Sequence, residues 1–271
     1  MRPAVPSGVG AYPLGKEDHP KLGGGGGRTH SLIDGILEAS RARGPATAEF
    51  WPAEERRDLI ASAAKAKRKG LIPIIAEIKP KAIGRTLGQE EVAAYARAYA
   101  QYGACAISVL TEPTHFKGSI ENVRTARRAG LPVLRKDFIF SYEQLSEVQA
   151  DLVLLIAALD IDLDRFIAAA RALGLEPLVE VHSEEEMERA LETEARIIGI
   201  NNRNLKTLEV DLGTFERLAP RAREAGVFLV AESGVHSLED ARRMMQAGAD
   251  ALLVGTELMA SPQRLGEINR F

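Results

Sequence analysis

The sequence predicts a (β/α)8 TIM barrel with an N-terminal helical extension, on the strength of two observations. From Leu71 onward, eight short apolar segments alternate with stretches whose apolar residues recur at helical spacing. The apolar segments are almost continuously hydrophobic, which is typical of strands that are covered on both faces in a parallel sheet. Eight strand–helix units of this kind close into a barrel, and about 200 residues are enough to build it.

The composition is that of a globular protein and argues against several classes of partner. The chain has 35 basic and 38 acidic residues, a net charge of −3 and a pI near 6.0, so neither nucleic acid nor an anionic membrane is a predicted partner. Cys105 is the single cysteine, which rules out an internal disulfide and a thiolate metal site. No apolar run reaches the ~18 residues of a membrane span, and the N-terminus lacks the apolar core of a signal peptide.

These observations predict a cytoplasmic protein, because a reducing compartment suits a chain without disulfides. The sequence does not predict an oligomeric state, although a monomer is compatible with it.

Three regions are predicted along the chain. Residues 1–30 form a flexible Gly/Pro-rich tail, since five consecutive glycines near its end are too costly in backbone entropy to be held in a fixed element. Residues 31–70 form a helical extension with one helix over 31–40, where Ser31 is a candidate N-cap, and a second over 56–69. Residues 71–271 form the (β/α)8 barrel catalytic domain.

The predicted strands alternate with amphipathic stretches such as residues 91–102 and 163–173. The strand segments are residues 72–79, 105–112, 132–138, 151–157, 176–182, 196–203, 228–234 and 250–256. An open doubly wound sheet is the alternative fold. It ranks second because Glu77-Ile78-Lys79 follows the first strand in place of a glycine-rich dinucleotide fingerprint.

Charged and polar residues gather where the predicted strands end, and in a barrel those ends form the active face. Each one alone could be a strand-end salt bridge, but ionised groups are costly to bring together away from water without a function. The set therefore predicts a catalytic or binding site. Its members are Glu77, Lys79, Glu112, Lys136, Asp137, Phe138, Glu180, His182, Asn201, Asn202, Arg203, Glu232, Ser233, Gly234, Gly255 and Thr256.

The last two strands predict a phosphate site. Gly234 and Gly255 end these strands and each precedes a helical stretch, where backbone N–H groups can face an anion. Ser233 and Thr256 add hydroxyl donors, although tight turns would also account for the two glycines. A phosphorylated small molecule is the predicted substrate. No metal site is predicted, because the five histidines show no paired spacing.

Seven segments together resemble the indole-3-glycerol phosphate synthase family. They read IIAEIK (74–79), SVLTEPTHFKGS (108–119), PVLRKDFI (132–139), EPLVEVH (176–182), GINNRNLKTL (199–208), VAESGV (230–235) and ALLVGTELM (251–259). The resemblance implies the conversion of 1-(2-carboxyphenylamino)-1-deoxy-D-ribulose 5-phosphate to indole-3-glycerol phosphate in tryptophan biosynthesis. The ring closes, carbon dioxide leaves and water is lost. The resemblance implies no cofactor.

The resemblance also implies a role for each matching residue. Lys136 is the expected general acid, Lys79 lies near the phosphate, and Glu180 is the opposed base or proton shuttle. The other expected catalytic residues are Glu77, Asn201, Arg203, Glu232 and Ser233. The expected phosphate and substrate contacts are Ser233, Gly234, Gly255, Thr256, Phe116 and Phe138. A neighbouring cation together with partial burial is expected to make a lysine here a stronger acid.

One segment departs from the family pattern. The family carries Ser-Pro-Ser after the first strand, whereas Ala82 stands here where the second serine is expected. Either Lys81, Gly84 or Arg85 compensates in phosphate binding, with Arg85 our choice, or the site accepts a changed substrate.

Two other functions are compatible with the barrel. A sister phosphate-binding barrel, such as a phosphoribosyl anthranilate isomerase-like or epimerase-like enzyme, would share the phosphate end but not the other segments. A non-catalytic barrel that binds a phosphorylated ligand would lack an acid or a base, yet Lys79, Lys136 and Glu180 are all present.

Overall fold

The structure is a computed structural model that describes residues 32–43, 56–82 and 85–270. Eight parallel strands pair in chain order, and the last pairs with the first, so the sheet closes into a barrel. The strands are β1 (Ile74–Ile78), β2 (Ala106–Leu110), β3 (Val133–Lys136), β4 (Leu152–Ile156), β5 (Glu176–Val181), β6 (Ile197–Asn201), β7 (Phe228–Glu232) and β8 (Ala251–Val254). The predicted (β/α)8 barrel is confirmed, and the open doubly wound sheet is excluded.

A helix follows each barrel strand. Two helices precede the barrel, α1 (Leu32–Ala42) and α2 (Leu59–Arg68). The helices that follow the strands are α3 (Gln89–Gln101), α4 (Ile120–Arg127), α5 (Tyr142–Leu145), α6 (Leu163–Ala172), α7 (Glu184–Leu191), α8 (Gly213–Glu224), α9 (Leu238–Ala247) and α10 (Thr256–Ala260). A 3-10 turn (Pro262–Arg264) and α11 (Leu265–Ile268) end the described chain, and a hairpin joins Lys81–Ala82 to Arg85–Thr86 after β1.

The core has two layers, and alternation along each strand assigns residues to one or the other. In β1, Ile74, Ala76 and Ile78 pack outward among the helices, whereas Ile75 belongs to the cluster inside the barrel. Because side chains alternate between the faces of a strand, Glu77 points inward with Ile75. The barrel interior is therefore apolar below and charged above, toward the carboxyl ends of the strands.

The two N-terminal helices lie at opposite ends of the barrel. Leu59, Ala63 and Ala66 of α2 join the interior cluster, and the Ser62 hydroxyl donates to the carbonyl of Cys105, which precedes β2. Helix α2 therefore closes the amino end of the barrel, while α1 contacts the loops at the carboxyl end. Of these two helices, α1 alone lies at the predicted active end.

Part of the predicted N-terminal organisation lies outside the described residues. This applies to the tail over residues 1–30 and to the Ser31 cap, so the domain boundaries stay predictions. The second helix begins at Leu59 and not at Arg56, because the side chain of Asp58 caps it by accepting from the Ala61 amide. No helix among the described residues is long and apolar enough to cross a membrane.

Candidate active site

The site is centred on Lys136, the last residue of β3. Its Nζ lies 2.7 Å from Oε2 of Glu232, 3.6 Å from Oε2 of Glu180 and 3.7 Å from Oε2 of Glu77. The three carboxylates are at most 5% exposed, and the Lys136 side chain is 16% exposed. One ammonium at the carboxyl end of the barrel is thus enclosed by carboxylates from three other strands.

The strand alternation explains why these four side chains meet. Each lies two residues after an interior apolar residue on its own strand, so each points inward one layer higher. The pairs are Ile75 and Glu77, Leu134 and Lys136, Leu178 and Glu180, and Val230 and Glu232. The apolar layer beneath supports the charged layer and keeps water from reaching it from below.

Two glycines leave the space that the charged layer needs. A Cβ on Gly199 in β6 would lie 2.2 Å from Oε1 of Glu232 and 2.7 Å from Cδ2 of Leu178. A Cβ on Gly255 would lie 2.6 Å from Oε1 of Glu77 and 2.9 Å from Cε of Lys79. Gly255 was predicted as a phosphate contact, and the space that it leaves for Glu77 and Lys79 gives it a second role.

The electrostatics of Lys136 differ from the sequence expectation. Burial by itself lowers the pKa of the ammonium, but the attraction of Glu232, Glu180 and Glu77 outweighs burial and raises the pKa above its ordinary value. The expectation that a neighbouring cation makes this lysine a stronger acid is therefore wrong. The reason is that the carboxylates lie closest to Lys136, and Nζ of Lys79 contacts Oε1 of Glu77 at 3.4 Å.

The carboxyl groups of Glu180 and Glu232 differ in pKa although both face Lys136. Burial raises the pKa of Glu180, but Lys136 and His182 together lower it by more than burial raises it, so the net shift is downward. Burial also raises the pKa of Glu232, and the negative charge of Glu180 raises it as well. Lys136 lowers this pKa only in part, so it is about 8. Glu180 is therefore the ionised member of the pair at neutral pH.

The predicted phosphate end lies beside this cluster. Nζ of Lys79 donates to Oγ1 of Thr256 at 3.2 Å, and α10 begins at Thr256. Ser233 and Gly234 both have a positive φ, 63° and 88°, so the chain turns sharply after β7. The Ser233 hydroxyl donates to Oδ1 of Asn201 at 2.8 Å. Lys79, Ser233 and Thr256 thus line one side of the opening.

The end of β6 leads into Arg203, another predicted catalytic residue. Oδ1 of Asn201 also accepts from the Arg203 amide at 3.0 Å, which fixes the turn into the next loop. The guanidinium of Arg203 donates to the carbonyl of Leu208 at 2.8 Å. The side chain of Arg203 therefore binds its own loop.

Asn202, noted in the sequence only as a strand-end residue, links two strand ends. Its side-chain amide donates to the carbonyl of Ser233 at 3.1 Å and accepts from the amide of Phe215 at 2.9 Å. Because it is 2% exposed, these bonds tie the ends of β6 and β7 to the start of α8.

The apolar side of the opening is larger than the sequence predicted. Phe138 packs against the interior cluster, as expected for a substrate contact, and so do Phe140, Leu205 and Leu37 of α1. Sequence reasoning missed the last three. Phe138 and Phe140 follow the end of β3 two residues apart, and that spacing was the available signal.

Phe116, the other predicted aromatic contact, lies in a loop that Glu112 holds. The carboxylate of Glu112 accepts from the amides of Thr114, His115 and Phe116 at 2.7, 2.7 and 2.9 Å. The side chain of Glu112 is fully buried. Glu112 therefore shapes the loop after β2, and the Phe116 carbonyl accepts in turn from the Lys81 amide of the hairpin at 3.1 Å.

Helix α1 is fastened to this end of the barrel by contacts that the sequence did not reveal. Both terminal nitrogens of Arg43 donate to the carboxylate of Asp137, at 3.2 and 3.0 Å. Arg135 is 1% exposed and contacts the same carboxylate at 2.9 Å as well as that of Glu147. Burial raises the pKa of Asp137, but Arg135 and Arg43 outweigh it and the net shift is downward. Asp137, next to Lys136, is thus held between two arginines.

The compensation predicted for Ala82 is not tested. The backbone pairs Ala82 with Arg85 across the hairpin. Gly84 and the side chain of Arg85 lie outside the described part, so the role of Arg85 in phosphate binding stays a prediction. Among the residues with described positions, no group of three or more His, Cys, Asp and Glu is placed to hold a metal ion.

Comparisons with known proteins agree on one family. A family model described as indole-3-glycerol phosphate synthase matches residues 37–271. The chain is 48% identical over 237 residues to a protein of that name from Halobacterium salinarum, covering 86% of this chain and 93% of the relative. It is 43% identical over 242 residues to one from Haloarcula marismortui, covering 84% of this chain and 85% of the relative.

Solved structures support the fold alone. A ligand-free form of tryptophan synthase from M. tuberculosis superposes with a TM-score of 0.59 at 13% identity, covering 78% of this chain and 97% of that chain. At this identity the likeness says only that both chains share the barrel.

Proposed function

The chain belongs to the indole-3-glycerol phosphate synthase family, and from this premise we propose how its site converts 1-(2-carboxyphenylamino)-1-deoxy-D-ribulose 5-phosphate to indole-3-glycerol phosphate. The reaction closes a ring and releases carbon dioxide and water, so the enzyme is a carboxy-lyase of tryptophan biosynthesis. The observation that carries the proposal is the ammonium of Lys136 among three carboxylates at the carboxyl end of the barrel.

Ring closure is the step for which Lys136 is suited. The aromatic carbon that bears the carboxylate attacks the ketone carbon of the sugar chain, and the ketone oxygen takes up a proton. The raised pKa keeps Lys136 charged. Its ammonium can therefore stabilise the negative charge that develops on the ketone oxygen and donate a proton to that oxygen. The pKa of Lys136 falls toward the working range once a proton on one of the carboxyl groups neutralises part of the surrounding negative charge.

Decarboxylation restores the aromatic ring. The C–C bond to the carboxylate breaks, its electron pair returns to the ring, and carbon dioxide leaves. This step needs orientation more than acid or base, because the ring regains its aromaticity. Phe138, Phe140 and Leu205 form an apolar wall on which the ring can rest, since they pack against the interior cluster.

Dehydration completes the indole and requires an acid and a base. A hydroxyl leaves with a proton from a lysine, and a carboxylate removes a proton to form the second ring double bond. Glu180, held ionised, is suited to be the base. Lys79 and Lys136 are both placed near enough to the cluster to be the acid, and the assignment of one lysine to each step stays open.

The substrate phosphate would bind beside Lys79. Lys79 supplies a charge, Ser233 and Thr256 supply hydroxyl groups, and the turns at Gly234 and Gly255 bring backbone amides close. The substrate carboxylate requires a cation elsewhere in the opening. Arg203 can provide one if it releases the Leu208 carbonyl on binding.

A steady-state assay on the purified protein tests the proposal. Formation of indole-3-glycerol phosphate is followed by fluorescence, with no metal or cofactor added. We expect turnover in the parent, loss of about 10³-fold or more in Lys136→Ala, and parental activity in Lys65→Ala, an exposed lysine on α2. Binding of the substrate without turnover by the parent would overturn the proposed function. Cytoplasmic location stays a prediction of the sequence.

A further inference from the structure

His182 lies between two carboxylates at the edge of the charged layer. Its Nε2 is 3.0 Å from Oε1 of Glu180, and its Nδ1 is 3.0 Å from Oε2 of Glu186. The His182 side chain is 9% exposed and that of Glu180 3%, so little water reaches the contact between them. Neither His182 nor Glu186 has a role in the function proposed above.

Glu186 is held in place by the start of α7. It is the third residue after the helix cap Ser183, and its amide donates to the Ser183 hydroxyl at 3.3 Å. Oε2 of Glu186 also accepts from the backbone amide of His182 at 2.7 Å. The carboxylate is therefore fixed against both the backbone and the ring of His182, and the ring cannot turn without breaking one of these contacts.

The geometry requires the ring to carry both protons. A neutral imidazole has one N–H and one lone pair. In either neutral tautomer the lone pair would face a carboxylate oxygen at 3.0 Å, and that contact would be repulsive. A doubly protonated ring donates from Nδ1 to Glu186 and brings its positive charge to within 3.0 Å of the Glu180 carboxylate, although Nε2 makes no hydrogen bond there. In agreement, Glu180 and Glu186 raise the pKa of His182 to about 10 although burial acts in the opposite direction.

A charged His182 alters the balance between Glu180 and Glu232. Lys136 is closer to Glu232, at 2.7 Å, than to Glu180, at 3.6 Å. Lys136 alone would therefore favour negative charge on Glu232 and leave any shared proton on Glu180. The imidazolium at 3.0 Å from Glu180 reverses this preference.

We propose that His182 is a positioning residue which, as an imidazolium, holds the negative charge on Glu180 and leaves the proton of this carboxyl pair on Glu232. The proposal rests on the proposed function in one respect, namely that Glu180 acts as the base. Glu180 then keeps a free lone pair for the substrate proton, and Glu186 serves as the counter-ion that keeps His182 charged. His182 itself need not touch the substrate.

The charged groups that face this arrangement come from four elements. Glu180 precedes His182 on β5, and Glu186 faces the ring from α7. Behind Glu180 lie Lys136 of β3 and Glu232 of β7. A pH profile must therefore separate His182 from the carboxyl pair.

The first experiment measures the ring directly in the protein without substrate. Two-bond ¹H–¹⁵N correlation spectra report whether each ring nitrogen carries a proton, and His182→Gln identifies the His182 signals among the five histidines. We expect both nitrogens of His182 to be protonated at pH 8. In Glu186→Gln the ring should titrate at a lower pH, because one counter-ion is gone. One unprotonated nitrogen at pH 8 in the parent would overturn the proposal.

The second experiment measures the pH dependence of kcat/KM in three variants. Without the cation, the proton that this carboxyl pair takes up below about pH 8 should lie on Glu180, because Lys136 then favours negative charge on Glu232. Activity of His182→Gln should therefore fall as pH drops from 8 to 6, over a range where the parent changes little. Glu186→Gln should show a smaller shift in the same direction, and His182→Lys, which restores a charge, should approach the parental profile.

The two experiments separate structural from electrostatic effects. Thermal unfolding verifies that each variant is folded. If His182→Gln does not fold, Glu186→Gln still tests the proposal, because it leaves β5 unchanged. A uniform loss of kcat/KM with an unchanged pH profile in His182→Gln would mean that His182 only packs, which contradicts the proposal. An inactive parent protein would refute the proposed function. The spectra would still decide whether His182 is doubly protonated, because they need no substrate.

Discussion

A methyl group on Gly199 would lie 2.2 Å from Oε1 of Glu232, so the missing side chain in β6 is what admits this carboxylate to the barrel interior. The register explains the arrangement. Glu180 of β5 pairs with Gly199, and Glu232 belongs to β7 on the other side of β6. The two carboxyl groups can therefore approach the same ammonium across a strand that presents only backbone.

Gly199→Ala is expected to reduce activity more than stability. The added methyl group must displace the Glu232 carboxylate or Leu178, and overpacking of this kind costs about 1–3 kcal/mol. Displacement of a catalytic group by about 1 Å can lower the rate about 100-fold. The measurements are kcat and urea unfolding, with Gly266→Ala as control because its nearest neighbour would be 3.8 Å away. A parental kcat in Gly199→Ala would show that the position of Glu232 matters little.

Replacing Lys136 by methionine is expected to make stability fall with rising pH. Glu180 and Glu232 would remain buried without their shared cation, so their pKa values in the folded state would rise above those in the unfolded chain. A carboxyl group with a raised folded pKa contributes stability below about pH 4 that is lost as the pH rises through the folded pKa. Relative to the parent, Lys136→Met should lose roughly 1–3 kcal/mol between pH 5 and pH 8.

Denaturant unfolding at both pH values measures this loss, with Lys65→Met as the matched lysine variant. If the free energy of unfolding of Lys136→Met differed from that of the parent by the same amount at pH 5 and at pH 8, the electrostatic explanation would be contradicted. Lost packing would then explain the whole effect.

Arg43→Ala is expected to loosen α1 from the active end. The change removes a two-pronged contact with Asp137, although Arg135 and the Thr111 hydroxyl still satisfy that carboxylate. A hydrogen bond to a charged group is worth about 1.5–3 kcal/mol. Amide hydrogen exchange in α1 should accelerate while the barrel strands keep their protection. KM should also rise, because Leu37 of α1 packs against the apolar cluster at the opening.

An exposed ion pair provides the control for Arg43. Arg165 and Asp162 are 70% and 52% exposed, and such pairs contribute about 0–1 kcal/mol, so Arg165→Ala should leave exchange in α1 unchanged. Unaltered exchange in Arg43→Ala would show that other contacts hold α1.

Glu112→Gln is expected to disorder the loop after β2. The carboxylate accepts three backbone amides, whereas an amide side chain has one acceptor oxygen and brings a donor close to N–H groups. Leaving such donors unsatisfied costs about 1–3 kcal/mol. Activity should decline mainly through KM, because Phe116 lies in this loop. Glu121→Gln, an exposed partner of Arg124, is the control, and equal melting temperatures for the two variants would refute the role of Glu112.

The sequence was sufficient for the fold and for the four charged side chains that meet at the carboxyl end of the barrel. Apolar runs and helical spacing are local patterns, and eight of each in alternation leave few ways to cover every strand, so all eight strands were predicted. The end of a strand is also a local property. Because a barrel brings all carboxyl ends to one face, Lys136, Glu180, Glu77 and Glu232 could be expected to meet there.

The tertiary structure alone decided which of these groups touch and with what effect on charge. Distances across the barrel depend on strand register and on the space left by Gly199 and Gly255, neither of which is visible in a single segment. For this reason the pKa of Lys136 shifts upward where the sequence suggested a decrease.

Long-range partners were equally hidden from the sequence. Arg43 and Asp137 are 94 residues apart, and nothing in either segment indicates that they pair. The opposite placement of α1 and α2 depends on which end of the barrel each apolar face can cover. Local sequence thus determined the elements and the residue types at the site, whereas packing between distant segments determined the electrostatic state in which those residues work.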